Sequence, residues 1–297
     1  MSNKNYHITK INQLPDEVEN LIHQGHVRDE AENGIVCNYK KFALVVKDRE
    51  GEIIGALQAY TAFSEIYVDD IWVSPKARKN GLGRKLLHEL ENQFKGQGYN
   101  NINLVTSHFQ APDFYKKCGF IAEFTRTNKK NPKLSKTFFV KYFDEENQFQ
   151  GVLKGKYMKV IKDTLTDKLK KTIYDGFKQH AIASTGAFEL EKPVAFYIQD
   201  SQGQVISAIV AQTFWGNLHI QYVWTHEEHR SKGYASKLMN EIFNFAKEKG
   251  YSFAFVETMN FQAPEFYKKF GFQIELIREG YSRGTSFYYM KKDFDNR

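Results

Sequence analysis

Two periods of apolar and polar residues alternate along the chain. Residues 42–46 and 53–62 are rich in apolar and β-branched side chains, with Asp48-Arg49-Glu50-Gly51 between them. Apolar runs flanking a glycine turn predict a two-strand hairpin. Residues 66–73 continue as a third strand. Leu86, Leu87, Leu90 and Phe94 then recur at helical spacing, predicting an amphipathic helix with one buried stripe. A short apolar strand at 102–106, a short helix and a closing strand pair complete the series. Strand-like residues 6–9 and a helical stretch after Pro15 precede it.

The whole pattern then repeats. Strands at 157–161, 194–198, 205–214, 218–225 and 253–258 follow the same order, with a helix after Thr166 and an apolar stripe of Leu238, Ile242, Phe243 and Phe245. Phe109-Gln110-Ala111-Pro112 recurs as Phe261-Gln262-Ala263-Pro264, and Trp72, Arg78 and Gly81 recur as Trp224, Arg230 and Gly233. The offset needs no gap and is far longer than a solenoid unit, so it marks a duplicated domain. The expected organisation is α/β, an α+β mixed sheet built twice in the order β-α-β-β-β-α-β-α-β-β. The domains are placed at 1–150 and 151–297, with the junction near 147–156.

Composition narrows the class. The chain has 297 residues, 42 Lys and Arg against 35 Asp and Glu, and a net charge of +7. Basic and acidic residues are interleaved, without the basic stripe of a dedicated nucleic-acid binder, so nucleic acid is not the expected partner. No apolar run is long enough for a membrane span. The start lacks a secretory core, and two distant cysteines make neither a metal site nor a disulfide framework, so a cytoplasmic setting and no metal are expected.

The chemistry-bearing pattern is Arg78-Lys79-Asn80-Gly81-Leu82-Gly83, echoed by Arg230-Ser231-Lys232-Gly233-Tyr234-Ala235. Each follows a strand and opens a helix, where glycine permits a sharp turn and free N–H groups suit an anion. Arg84 and Lys85, and Lys237, add charge nearby. Neither segment is a nucleotide P-loop or a dinucleotide fingerprint.

With the later Tyr115-Lys116-Lys117-Cys118-Gly119-Phe120 and Tyr267-Lys268-Lys269-Phe270-Gly271-Phe272, both copies resemble the GNAT N-acetyltransferase superfamily across nearly the whole chain. The resemblance implies an acyltransferase that moves an acetyl group from acetyl-CoA, its co-substrate, to an amine of a small molecule or peptide. It implies that the pantetheine lies along Ile71, Trp72 and Val73, or Val223, Trp224 and Thr225. The pyrophosphate would lie on residues 79–84 (Lys79 to Arg84) or 231–236 (Ser231 to Ser236). Asn260 matches a pantetheine contact, where the first copy has His108. Tyr115 and Tyr267 stand where the family keeps an acid for the leaving thiolate.

The base is left open among Asp69 or Asp70 in the first copy, Glu257 in the second, or a water chain. Strand alternation lets at most one of Asp69 and Asp70 face the thioester. His108 and His226 read as lone histidines, Trp72 and Trp224 as core, and Cys118 as packing. The acidic pair suits a cationic acceptor. The alternative to an enzyme is a degenerate pair that senses acetyl-CoA or binds a partner. The expected assembly is a monomer with an internal pseudo-dimer, or a homodimer.

Overall fold

The computed structural model describes residues 6–143, 159–186 and 192–294. In chain order its elements are β1 (His7–Ile11), α1 (Asp16–Glu32), β2 (Lys40–Lys47), β3 (Ile53–Ala62), β4 (Glu65–Val73), α2 (Leu82–Phe94), β5 (Asn101–Ser107), α3 (Pro112–Lys116), β6 (Ile121–Arg126) and β7 (Lys136–Tyr142). The series then repeats as β8 (Val160–Asp163), α4 (Asp167–Thr185), β9 (Val194–Gln199), β10 (Val205–Phe214), β11 (Asn217–Thr225), α5 (Tyr234–Glu248), β12 (Phe253–Met259), α6 (Pro264–Lys269), β13 (Gln273–Arg278) and β14 (Phe287–Asp293). The element order read from the pattern holds in both copies.

The strands form two mixed sheets of seven. One runs β6-β7-β5-β4-β3-β2-β8, the other β1-β9-β10-β11-β12-β14-β13. The compact units are not the two repeats. The Tyr115 unit comprises residues 37–187 and 280–282, and the Tyr267 unit comprises residues 1–36, 188–279 and 283–297. The first strand and helix of each repeat have changed places. β1 pairs antiparallel with β9, from His7↔Gln199 to Ile11↔Ala195, and β8 takes the equivalent edge of β2, from Ala43↔Asp163 to Val46↔Val160. The proposed junction at 147–156 lies outside the described residues.

In the Tyr115 unit, one face of the sheet packs on α2. Leu86 and Leu90 bury completely there with Leu44, Leu57 and Ile66. Each such side chain contributes about 1.5–3 kcal/mol by leaving water. The other face carries α4, whose Ile173 and Phe177 pack with Val45, Ala56 and Trp72. The Thr166 hydroxyl accepts the Leu169 N–H at 3.3 Å and so satisfies one orphan donor at the start of α4.

The Tyr267 unit has the same two layers. α5 sets Leu238, Met239 and Ile242 against Ile209, Leu218 and Ile220. Leu14 and Ile22, from α1 and the residues before it, pack with Ala208 and Trp224 on the opposite face. Trp224 is therefore core, as expected, and Trp72 packs more loosely.

The two exchanged helices meet their tryptophans with different clearance. A Cβ added at Gly25 of α1 would lie 2.6 Å from Nε1 of the buried Trp224, whereas one at Gly176 of α4 would lie 3.8 Å from Nε1 of Trp72. Gly25→Ala is expected to destabilise by about 1–3 kcal/mol through overpacking. Gly176→Ala is expected to stabilise by about 0.5–1 kcal/mol, because alanine costs a helix less entropy than glycine. Denaturant unfolding of the two variants checks the pair. Equal effects would mean that α1 does not lie against Trp224.

Candidate functional site

The site in each unit begins where two parallel strands part. β4 and β5 pair in parallel from Glu65↔Asn101 to Val68↔Leu104, and among the described residues the pairing stops there. β11 and β12 pair from Leu218↔Ala254 and stop at Ile220↔Val256. Beyond those points, Ile71, Trp72 and Val73, and Val223, Trp224 and Thr225, keep their antiparallel partners on β3 and β10. Their other edge has no strand partner among the described residues and offers the backbone groups an added strand would use.

A bulge lies at the point of parting. Gln58 pairs with Asp70 but Ala59 pairs with Val68, so Asp69 is the extra residue. Val210 pairs with Tyr222 and Ala211 with Ile220, so Gln221 is its counterpart. A bulge interrupts the in–out alternation of a strand. Trp72 packs on the α4 face, which places Asp70 on that face too, and Asp69 acts on Lys41 and Tyr60 of the same face. The expectation that at most one of the two aspartates points at the gap came from strict alternation, and alternation does not hold here.

The strands lead into the glycine-bearing loops. A 3-10 turn at Pro75–Ala77 or Glu227–His229 comes first. Lys79 and Ser231 adopt left-handed backbone, at φ 65° and 60°, and Gly81 and Gly233 follow at φ 78° and 82° as the N-caps of α2 and α5. Neither N-cap has a side-chain hydrogen bond. The first intrahelical bonds are Lys85 N–H to the Gly81 carbonyl and Lys237 N–H to the Gly233 carbonyl. The N–H groups of Leu82, Gly83 and Arg84, and of Tyr234, Ala235 and Ser236, precede them and suit an anion. Lys79, Asn80 and Gly81 are exposed, as are Ser231, Lys232 and Gly233, while Leu82 and Tyr234 bury their side chains.

Several side chains serve the frame. Arg78 Nε donates to the Val73 carbonyl at 3.1 Å and Arg230 Nε to the Thr225 carbonyl at 3.3 Å, tying each loop to the strand it leaves. Gly83 lies within α2, where an added Cβ would come 3.1 Å from Phe114. Close helix packing, rather than a turn, accounts for glycine there. Arg84 hydrogen-bonds Cys118, whose thiol is nonetheless pushed up by burial. Asn260 Oδ1 accepts the Ser286 N–H at 3.2 Å, and His108 lies 3.2 Å from the Thr137 hydroxyl. Gln110 and Gln262 each accept a backbone N–H, from Ser107 and Met259, and so hold the turn into α3 or α6.

Tyr115 and Tyr267 are buried in the α2 and α5 cores. Burial raises both phenols well above the ordinary tyrosine range, and at Tyr115 the charges of Cys118 and Asp70 add to it. Both therefore stay protonated at neutral pH. Asp70 is pushed up to about 6, first by burial and then by Asp69. Gln58 Nε2 donates to its Oδ2 at 3.4 Å. Asp69 is also raised by burial, with Lys41 opposing. Tyr115 thus belongs to the α2 face, and the charge of Asp70 reaches it from the strand edge.

The Tyr267 unit is equipped differently. Tyr222 stands at the Asp70 position, and burial raises its phenol. Glu257 on β12 contacts His219 Nε2 at 2.6 Å, and the His219 ring stacks on Phe255 at 4.5 Å and 9°. Sequence reasoning found Glu257 and missed His219. The signal was present, because Tyr67 and Val105 of the first repeat become His219 and Glu257 together. His226 is not a lone histidine either. Its ring lies 5.9 Å from that of His229, and the candidate ligand atoms of His226, Glu228 and His229 lie within 4.8 Å of one another.

Known proteins decide what these features amount to. The family model described as Acetyltransferase (GNAT) family matches residues 11–120 and again 163–272, nearly three-quarters of the chain. The chain belongs to the GNAT acetyltransferase family. It is similar to an acetyltransferase of Agrobacterium fabrum, with 26% identity over 135 residues that cover 46% of this chain and 98% of that one. A blasticidin-S acetyltransferase of Streptomyces morookaense is 28% identical over 100 residues, covering 33% of this chain and 74% of the other. Among solved structures, an acetyltransferase from Bacillus cereus is 27% identical with a TM-score of 0.41, covering 44% of this chain and 96% of that one. The GNAT chain is an acyltransferase with two family domains in tandem. Among the described residues no helix is long and apolar enough to cross a membrane.

The raised Asp70 has a consequence for stability. Its folded pKa of about 6 lies above the unfolded carboxylate value near 4, so the folded state holds the proton more tightly. The stability this group supplies is present below pH 4 and is lost as pH rises from about 4 to 6. Asp70→Asn, which mimics the protonated form, is expected to match the parent's melting temperature at pH 4 and exceed it at pH 7. Thermal melts across that range check this.

Proposed function

We propose that this GNAT protein transfers the acetyl group of acetyl-CoA to the nitrogen of an amine, with one complete site in each unit. The observation that carries the reading is the parallel strand pair whose pairing stops midway, just before a glycine-bearing helix start, in both units. The free edges of residues 71–73 and 223–225 would take the pantetheine, and the uncapped N–H groups at the starts of α2 and α5 the pyrophosphate.

In the Tyr115 unit, Asp70 accepts the proton that the attacking amine must shed. The amine nitrogen bonds the carbonyl carbon as the carbon–sulfur bond breaks, and Tyr115 supplies a proton to the departing sulfur. A backbone N–H at the bulge would steady the negative charge on the carbonyl oxygen. In the Tyr267 unit Tyr267 keeps the acid role, and Glu257 with His219 takes the base role. The likeness to an enzyme that acetylates blasticidin S supports a small-molecule acceptor.

Calorimetric titration is expected to give two acetyl-CoA sites per chain. Tyr115→Phe and Tyr267→Phe are each expected to remove part of the thiol release and together to reduce it 100-fold or more, in line with the roughly 10²–10⁴-fold share of general acid–base catalysis. The share that survives in Tyr267→Phe is expected to rise with pH to a plateau above about 6, following Asp70. Two bound acetyl-CoA molecules with no turnover on any amine would favour a sensing role instead.

A further inference from the structure

The turn between β11 and the Gly233 loop carries metal-ligating side chains that acetyl transfer does not use. His226 follows the strand, and Glu227–His229 form a single 3-10 turn. The ligand atoms of His226, Glu228 and His229 lie within 4.8 Å of one another. The fold does not ask for these three residues. The first repeat builds the same turn with Ser74, Lys76 and Ala77 in their places. Its backbone is nearly identical, with φ and ψ of −55° and 142° at Ser74 against −53° and 139° at His226. Backbone bonds hold the turn, from the His226 N–H to the Ile206 carbonyl at 2.9 Å and from the His229 N–H to the His226 carbonyl at 2.8 Å.

The three side chains are also uncommitted. Arg28 pairs with Glu227 at 3.2 Å, and Arg230 Nε donates to the Thr225 carbonyl. Lys232 donates to the backbone carbonyl of Glu228, not to its carboxylate. The exposed Glu228 carboxylate has no ion pair or hydrogen bond among the described residues. His226 Nδ1 is buried without a hydrogen-bond partner. A buried imidazole nitrogen left unpaired costs free energy until something binds it. Two imidazoles and a carboxylate form a donor set for Zn2+, whereas Mg2+ selects oxygen ligands.

We propose that His226, Glu228 and His229 bind a zinc-class divalent ion, in the Tyr267 unit alone. The bound ion ties the residue after β11 to the end of the turn, so it stiffens the entry to the Gly233 loop. Three protein donors leave a fourth position to water or another oxygen ligand. None of this rests on the acetyl-transfer reading, and its test needs no acetyl-CoA.

The full chain, without an affinity tag and stripped of metal by chelation, is titrated by calorimetry with Zn2+ and with Mg2+. One Zn2+ per chain is expected, and no saturable binding of Mg2+. Glu228→Gln, at an exposed position, is expected to weaken Zn2+ binding at least about 10-fold, since even the outer partners of a metal site are worth that much. A variant combining His226→Ser, Glu228→Lys and His229→Ala gives the turn the residues its twin already carries. It is expected to keep the fold and lose the site. Absence of saturable Zn2+ binding by the parent would overturn the proposal. Zn2+ binding undiminished in the combined variant would overturn it too, because the ion would then lie elsewhere. Mg2+ bound as tightly as Zn2+ would also sink it, since imidazoles would then not be the ligands.

Discussion

The proposed chemistry of this molecule depends on a parallel strand pair that is allowed to fail. A sheet left unpaired midway exposes backbone donors and acceptors that cost free energy unless something binds them. Here the loss is confined to one side of β4 and β11, while the antiparallel side holds register through Trp72 and Trp224. The bulges at Asp69 and Gln221 turn the strands as the pairing ends, and the loops at Gly81 and Gly233 follow directly. A strand edge, a re-aimed pair of side chains and an uncapped helix start therefore occur within about a dozen residues, twice.

The two units keep this frame and differ in what they hang on it. In one, the bulge puts two carboxylates next to each other, and their proximity together with burial raises Asp70 into the range where a carboxylate can take up a proton near neutrality. In the other, the carboxylate has moved one strand over and acquired a histidine. In the proposed reading the same backbone gap meets two kinds of acceptor face. The cores under α2 and α5 keep their apolar character through the duplication while individual side chains change, as from Leu44 and Leu87 to Phe196 and Met239.

Much of this was legible beforehand. Period-2 and period-3.6 patterns gave the element order, because each strand and helix buries one face. The repeat offset gave the duplication, and the glycine loops gave the two helix starts at Gly81 and Gly233. Three things were not legible. Alternation is the rule that reads a strand, so a bulge that breaks it at Asp69 is invisible to that rule. Gly83 looks like a loop glycine until Phe114 is seen against it, since helix packing leaves no local trace. The partner of β1 could not be chosen at all. β1 and β8 are equivalent by the repeat, and either fits the edge of β2 or of β9 by pattern alone.

That last exchange has a temporal side. As the chain emerges from a ribosome, β2 meets its edge strand β8 after 114 further residues, counting from Val46 to Val160. β1 must wait 192 residues, from His7 to Gln199. At roughly 5–20 residues per second that is on the order of 10–40 s with an unpaired strand and an apolar helix face in water. During that interval the vacant edge of β2 is a competing partner, close in sequence and of the right hand. The nascent chain therefore has a choice between a quick pairing and a late one, and the arrangement described here is the late one.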